Sequence, residues 1–468
     1  MQTENEQPII YEAKTSYVLM LATVAALGGF LFGFDTAVIN GAVGALGISF
    51  QANSFQVGLA VSSALLGSAA GAFFAGQIAD RYGRVKTMVV AAGFFLISAI
   101  GSGIAVSIAD FMMWRLIGGI AVGAASVIAP AYIAEVSPAH LRGRLGSLQQ
   151  LAIVTGIFVA LLSNYFIATG AGSAMSPLWF GVPAWRWMFW TEIPPALLYG
   201  LGALRIPESP RYLVAQGREA EATPILAKAI GGDVAAKIRE IRDSVFQDHK
   251  PRLSDIFGRS GLLPIVWIGI GVSVLQQLVG INVIFYYSSV LWQAVGFSEA
   301  DSLWITVITS VTNIVTTLVA IAFVDKFGRK PLLIVGSIGM MLTLGTLATV
   351  FGNAPLDAAG NPALTDSAGT IALLAANIYV FCFGFSWGPV TWVLLGEMFN
   401  NRIRGSALSV AATAQWIANF GVSTTFPVLK DIGLGFAYGL YTTAAAISLF
   451  FVLFLIKETK GRELEDMQ

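Results

Sequence analysis

Apolar runs of similar length alternate with short polar stretches along the whole chain, at 17–40, 58–79, 87–108, 111–134, 146–168, 187–206, 262–292, 303–324, 331–352, 370–396, 404–429 and 434–456. Crossing the hydrocarbon core of a bilayer takes about 20 predominantly apolar residues in a helix. The pattern therefore predicts an all-α membrane protein with twelve transmembrane helices. The first run is expected to stay in place. Glu4, Glu6 and Glu12 precede it where a cleavable leader carries basic residues, and it is too long for a leader.

Composition supports this. Of 468 residues, 56% are hydrophobic and 12% are charged, whereas a soluble domain carries about 25% charged residues. Lys plus Arg and Asp plus Glu both number 27, and a net charge of zero excludes nucleic acid as a partner. The single cysteine, Cys382, cannot close an internal disulfide and is expected to pack in an apolar run. With both termini cytoplasmic, 24 of the 27 basic residues fall on the inner side, leaving only Arg115, Arg186 and Lys430. Positive charge held inside predicts cytoplasmic termini in a multi-pass protein of the inner (plasma) membrane.

Three pairs of short motifs reveal an internal repeat. Asp80, Arg81, Tyr82, Gly83 and Arg84 after the second run match Asp325, Lys326, Phe327, Gly328 and Arg329 after the eighth. Glu135 precedes Arg142, Gly143 and Arg144 as Glu397 precedes Arg404 and Gly405, and Glu208, in the PESPR stretch ending at Arg211, matches Glu458. The chain thus divides into a six-helix half (1–206), a linker (207–261), a second six-helix half (262–456) and a short tail (457–468). The acidic and basic residues of these motifs are read as ion pairs of an inner gate. The linker, with helical spacing from Glu219 to Phe246, is expected to form short amphipathic helices at the inner surface.

No G-x-x-x-x-G-K-[ST] loop is present to hold ATP phosphates. His140 and His249 stand without further metal ligands, so no metal and no cofactor are expected. Asp35, Arg115 and Glu192 lie inside apolar runs, where charge is costly and marks a functional site. Counted along their helices at about 1.5 Å per residue, the three reach a similar depth, and two carboxylates competing for one guanidinium make a proton switch. The carried proton is assigned to Asp35, which follows Gly33 where the helix is expected to bend, with Glu192 as the second choice; a permanent ion triad is the alternative.

The second half holds uncharged hydrogen-bonding groups instead. Gln276, Gln277 and Asn282 flank Gly280, with Tyr286 one turn on. Asn313 lies in the eighth run, Trp392 follows Gly388 and Pro389, and Gln415, Trp416 and Asn419 share a face of the eleventh. Amides and indoles converging on a cavity suit a ligand with many hydroxyls.

The stretches GGFLFGFDTAVINGA (28–42), DRYGR (80–84), PAYIAEVSPAHLRGR (130–144), PESPR (207–211), QQLVGIN (276–282), DKFGRK (325–330) and GFSWGPVTWVLLGEMF (384–399) resemble the sugar porters of the major facilitator superfamily, close to bacterial proton-coupled hexose transporters of the cyanobacterial glucose type. The resemblance implies sugar contacts from Gln150, Gln276, Gln277, Asn282, Trp392 and Asn419, helped by Phe32, Asn313, Gly388, Gln415 and Trp416. It also implies proton binding by Asp35 paired with Arg115, since facilitative relatives carry a neutral Asn there. Lys457 departs from the usual proline before Glu458.

The expectation is a non-enzymatic symporter that carries a monosaccharide, glucose or a related hexose, with a proton by alternating access, as a monomer in the lipid bilayer. A facilitative uniporter and a membrane sugar sensor are the rivals. No nucleophile, metal set or paired catalytic acids suggest a membrane enzyme.

Overall fold

The computed structural model describes residues 10–11, 14–247, 253–258, 261–356, 363–399 and 403–459. The side chains of His140, Arg142, Asp325 and Arg404 lie outside what is described, as do Glu4, Glu6, Glu12 and His249.

The chain is almost wholly helical. The first five spans are α1 (Thr15–Ser49), α2 (Ser54–Tyr82), α3 (Arg84–Ile104), α4 (Ile108–Val136) and α5 (Ala139–Ala171). The sixth is broken into α6 (Ala184–Trp190) and α7 (Ile193–Ala203). The short helices α8 (Pro210–Ala215), α9 (Glu219–Ala229) and α10 (Val234–Gln247) follow. The seventh span is α11 (Pro264–Leu278) with α12 (Ile281–Ala294), and α13 (Glu299–Phe327) and α14 (Arg329–Gly352) are the eighth and ninth. The tenth is α15 (Asp366–Phe385) with α16 (Trp387–Met398), and α17 (Arg404–Ile432) and α18 (Leu434–Leu455) complete twelve.

Among the described residues ten spans pass a strict test of length and apolarity. The sixth fails because it is broken, and α17 carries Gln415, Asn419 and a run of Ser and Thr along its length. Large apolar side chains such as Leu66, Phe74, Ile97, Leu198, Leu342 and Phe454 face outward and stay exposed. An exterior of that kind requires lipid, and closing every backbone bond within helices satisfies the polar groups that lipid cannot. This is a multi-pass membrane protein.

Two breaks have local causes that hydropathy does not register. Pro194 and Pro195 open α7, and the steric demand of proline on the residues before it ends α6 ahead of Glu192. The sixth run, expected to be continuous, is therefore two short helices with Thr191 and Glu192 at the joint. Pro389 in the first turn of α16 has no N–H to continue the α15 ladder, and the chain turns at Ser386. In the seventh span the break is Gly280 itself, at φ +82°.

Gly33 corrects one expectation. Helix α1 runs unbroken through it, so it is no bend; a Cβ there would collide with the carbonyl oxygen of Ile153 on α5. The glycine permits close packing of two helices.

Spans from the first and second parts of the sequence meet at the face opposite the basic loops. Helix α1 packs on α12, α2 on α17 and α5 on α13. Asn40 of α1 clasps α12, its Nδ2 donating to the Phe285 carbonyl at 2.9 Å and to Ser288 Oγ at 3.1 Å. Ser62 shares a 2.7 Å hydrogen bond with Thr424, Ser54 bonds Asp431, and the Ala174 amide donates to Glu299 at 2.8 Å. That face is closed. Helices α8 to α10 gather around Leu213, Leu226 and Val234, and the segment Ile10–Tyr11 pairs in antiparallel fashion with Gly232–Asp233.

Candidate functional site: a buried charge cluster and a polar relay

Asp35, Arg115 and Glu192 come together from α1, α4 and the joint of the sixth span, and none is more than 1% exposed. Arg115 Nη1 donates to Asp35 Oδ1 at 2.7 Å, and Nη2 donates to the Asp35 backbone carbonyl at 2.8 Å. The guanidinium also lies over the Phe189 ring at 5.8 Å. Only one carboxylate oxygen of Asp35 is thereby engaged, and Oδ2 has no donor, nor has either oxygen of Glu192. Yet the Glu192 and Asp35 carboxyls lie within hydrogen-bonding reach of each other. Ionised carboxylates only accept, so this contact becomes a hydrogen bond when one of them carries a proton.

The second group is a chain of amides across the break of the seventh span. Gln276 Nε2 donates to the Trp387 carbonyl at 2.9 Å and to that of Gly388 at 3.4 Å, tying α11 to α16. Gln277 Nε2 donates to Gln276 Oε1 at 3.2 Å, and Asn282 Nδ2 donates to Gln277 Oε1 at 2.6 Å. The relay leaves Asn282 Oδ1 and the second Gln277 N–H for another partner. Nearby, Tyr286 meets Asn419, which also accepts from Ser423 at 3.1 Å. Tyr286 also lies within electrostatic range of Asp35 and Arg115, so the charge cluster and the polar relay are neighbours.

Phe32 packs against Trp416 with ring centroids 6.0 Å apart, joining α1 to α17. Gln415 Oε1 is buried without a donor. Asn313 sits against Gly384 of α15, Gln150 is half-buried on α5, and Trp392 remains 46% exposed on α16. The polar relay and these flanking groups thus come from α1, α5, α11, α12, α13, α16 and α17. Sequence reasoning did not single out Asn40; its signal was a lone amide late in an apolar run.

The repeated motifs fold into two matching clusters at the basic face. Arg84 binds Glu135 through Nε and Nη2, both at 3.0 Å, and reaches Asp80 at 2.9 Å. Arg329 binds Glu397 in the same bidentate way at 3.0 and 2.7 Å. Glu208 and Glu458 also cap helices. Each accepts from the first amides of a helix, Glu208 from Arg84 at 2.9 Å and Val85 at 3.2 Å, and Glu458 from Arg329 and Lys330 at 3.0 Å. A carboxylate at a helix N-terminus meets unpaired N–H groups and the positive end of the helix dipole. Gly83 (φ +101°) and Gly328 (φ +86°) precede these helices, and a Cβ on either would press on the capping glutamate. The Lys457 substitution leaves this cap intact. Arg81, Arg144 and Arg211 are exposed at helix ends.

Twelve spans, breaks beside a central polar relay and charges sealed in the bilayer define a membrane carrier. The chain matches the sugar (and other) transporter family over residues 21–468. It is 69% identical to the glucose transport protein of Synechocystis over 97% of this chain and 98% of that one, and 39% identical to the D-xylose–proton symporter of Escherichia coli over 97% and 96%. The xylose transporter of Escherichia coli, solved in an inward-open conformation, superposes with a TM-score of 0.82 at 37% identity, covering 96% of this chain and 99% of that one. The chain belongs to the sugar porter family of the major facilitator superfamily and is a transporter, not an enzyme.

Proposed function

We propose that the protein is a proton-coupled sugar importer, with glucose or a related hexose as its substrate, working by alternating access as a monomer in the inner membrane with both termini cytoplasmic. The observation that carries this reading is the sealed cluster of two carboxyls and one guanidinium, in a chain so similar to a glucose transport protein. With both carboxyls ionised the cluster has one charge too many and one donor too few. A proton supplies both needs, and it loosens the hold of Asp35 on Arg115. The carried proton is assigned to Asp35.

The sugar is placed between two halves (1–206 and 262–456, joined by linker 207–261), against the amide relay and the Phe32 and Trp416 rings. Its hydroxyls complete the open donors and acceptors of Gln277 and Asn282. Gly280 and the turn at Ser386 are the flexing points of the seventh and tenth spans. The closed far face supports a state that is shut on that side. The distribution of basic residues supports cytoplasmic placement of the Arg84 and Arg329 clusters.

Uptake of labelled glucose into proteoliposomes, with and without an imposed pH gradient, tests this reading. Accumulation above the external concentration only with the gradient supports symport. Equilibration regardless of pH would make the protein a uniporter, and binding without uptake a sensor.

The two basic-face clusters lead to a prediction of their own. Arg84→Ala or Arg329→Ala leaves Glu135 or Glu397 without its bidentate partner and is expected to favour inward-open states and slow net transport. Spin-label distances across that face should lengthen in both variants. Unchanged distances would reduce the motifs to topology signals.

A further inference from the structure

The charge cluster has a polar neighbour that neither the sugar contacts nor the ion pair uses. On α3, Ser98 and Ser102 lie one turn apart on one face, both fully buried, and neither hydroxyl has a partner. Many other buried hydroxyls in the spans bond their own helix, although Ser273, Ser302 and Thr391 also lack a partner. Ser62, Ser68, Thr306 and Thr309 each bond a carbonyl four residues back in their own helix. Ser98 and Ser102 forgo that bond and turn into the space between helices, where α3 packs on α1, α4, α6 and α7.

Gly118 of α4 shows what they turn toward. A Cβ built on it would collide with Ser98 Oγ and touch Asp35 Oδ1 at 3.1 Å, so the serine hydroxyl and the carboxylate share one small space kept open by the absence of a side chain. Into the same region come Asp35 Oδ2, both oxygens of Glu192 and Arg115 Nε, all buried and all without a partner. Buried polar atoms almost always have partners, and a water held inside a protein typically makes about three hydrogen bonds. One unpaired atom would say little; this many on one charge cluster and its α3 neighbour describe a polar site.

We propose that Ser98, with Ser102 a turn behind it, holds buried water against the Asp35, Arg115 and Glu192 cluster, and that Ser98 is thereby a positioning residue for the transported proton. The water donates to carboxylate oxygens that Arg115 does not reach and accepts from the serine hydroxyls, which stabilises the cluster in its deprotonated form. The groups facing the cluster among the described residues are Asp35 from α1, Arg115 from α4, Glu192 from the joint of α6 and α7, and Tyr286 from α12. Neither Ser98 nor Ser102 is titratable near neutral pH, and on α5 Asn164, which donates to the Val38 carbonyl, is uncharged. Removing the serine hydroxyl therefore changes the proton affinity of the cluster without removing a charge.

The inference rests on reading the cluster as the proton site, and the experiment separates the two. In proteoliposomes, Ser98→Ala is expected to raise the apparent pKa of proton-driven sugar uptake by about one pH unit, a tenfold change in proton affinity. The sugar KM at saturating proton concentration should stay unchanged. Ser102→Ala should move it the same way by less. Infrared difference spectra of the purified protein should show a water O–H band that shifts in H2-18O and is lost in Ser98→Ala. A pH profile that coincides with the unmodified protein, or no such band, overturns the inference. If the serine variants are silent while Asp35→Asn abolishes coupling, only the water is refuted; if Asp35→Asn leaves coupling intact, the proton reading itself falls.

Discussion

Asp35→Asn is expected to abolish uphill, pH-driven sugar uptake while leaving sugar binding and some downhill exchange. The amide keeps the shape of the side chain, and its carbonyl can still accept from Arg115 Nη1 as Oδ1 does at 2.7 Å. Its NH2 group then occupies the place of Oδ2, beside the Glu192 carboxyl, and donates permanently where the native side chain donates only when protonated. The variant thus imitates the loaded carrier and cannot unload. Exchange, which needs no net proton movement, should persist; accumulation against a sugar gradient should vanish, and with it sugar-induced proton uptake. Glu192→Gln should do less harm, because its charge tunes Arg115 and is not the carried site. Concentrative uptake by purified Asp35→Asn, with proton uptake intact, would transfer the coupling role to Glu192.

Much of this architecture was legible before any coordinates. Twelve spans follow from apolar length, because transfer into lipid depends on side-chain composition that a sequence displays directly. The depth of Asp35, Arg115 and Glu192 was countable because a helix rises steadily. Backbone events were not legible in the same way. Pro194, Pro195 and Pro389 signal breaks, yet the runs around them stay apolar, and hydropathy weighs side chains and not missing N–H groups. Gly33 looked like a bend for the opposite reason: whether a glycine flexes a helix or admits a neighbour depends on the neighbour, here the Ile153 carbonyl on a helix more than a hundred residues away.

The charged motifs show the same boundary between pattern and partner. Their repetition identified Arg84 with Glu135 and Arg329 with Glu397 as related groups, and the structure pairs each couple bidentately. It could not show that Glu208 and Glu458 bind backbone amides, since every helix start exposes such donors and a sequence does not say which acidic residue reaches them. Ser98 and Asn40 escaped notice because a single hydroxyl or amide in an apolar run most often serves its own helix. Only the packing of α3 on α4 and of α1 on α12 makes them otherwise.

Gln277→Ala should weaken sugar binding by about tenfold to a hundredfold, the cost of leaving one buried polar group unpaired at about 1–3 kcal/mol. Gln277 is the middle of the relay. Without it Asn282 Nδ2 loses its acceptor, Gln276 Oε1 loses its donor, and α11 and α12 lose the one side-chain bridge described across Gly280. Asn282→Ala breaks the same bridge across Gly280 from its other end. It should cost comparable affinity, because Asn282 Oδ1 is an open acceptor for a sugar hydroxyl, but it leaves the bond between Gln276 and Gln277 and the tie to Trp387 in place. The two variants should therefore differ in melting temperature in detergent, with Gln277→Ala the lower, while both reach the membrane and both bind sugar poorly in calorimetry. Wild-type affinity in both purified proteins would remove the relay from the sugar site. Weak binding with equal melting temperatures would keep the contacts and show that the bond between Gln276 and Gln277 adds no stability.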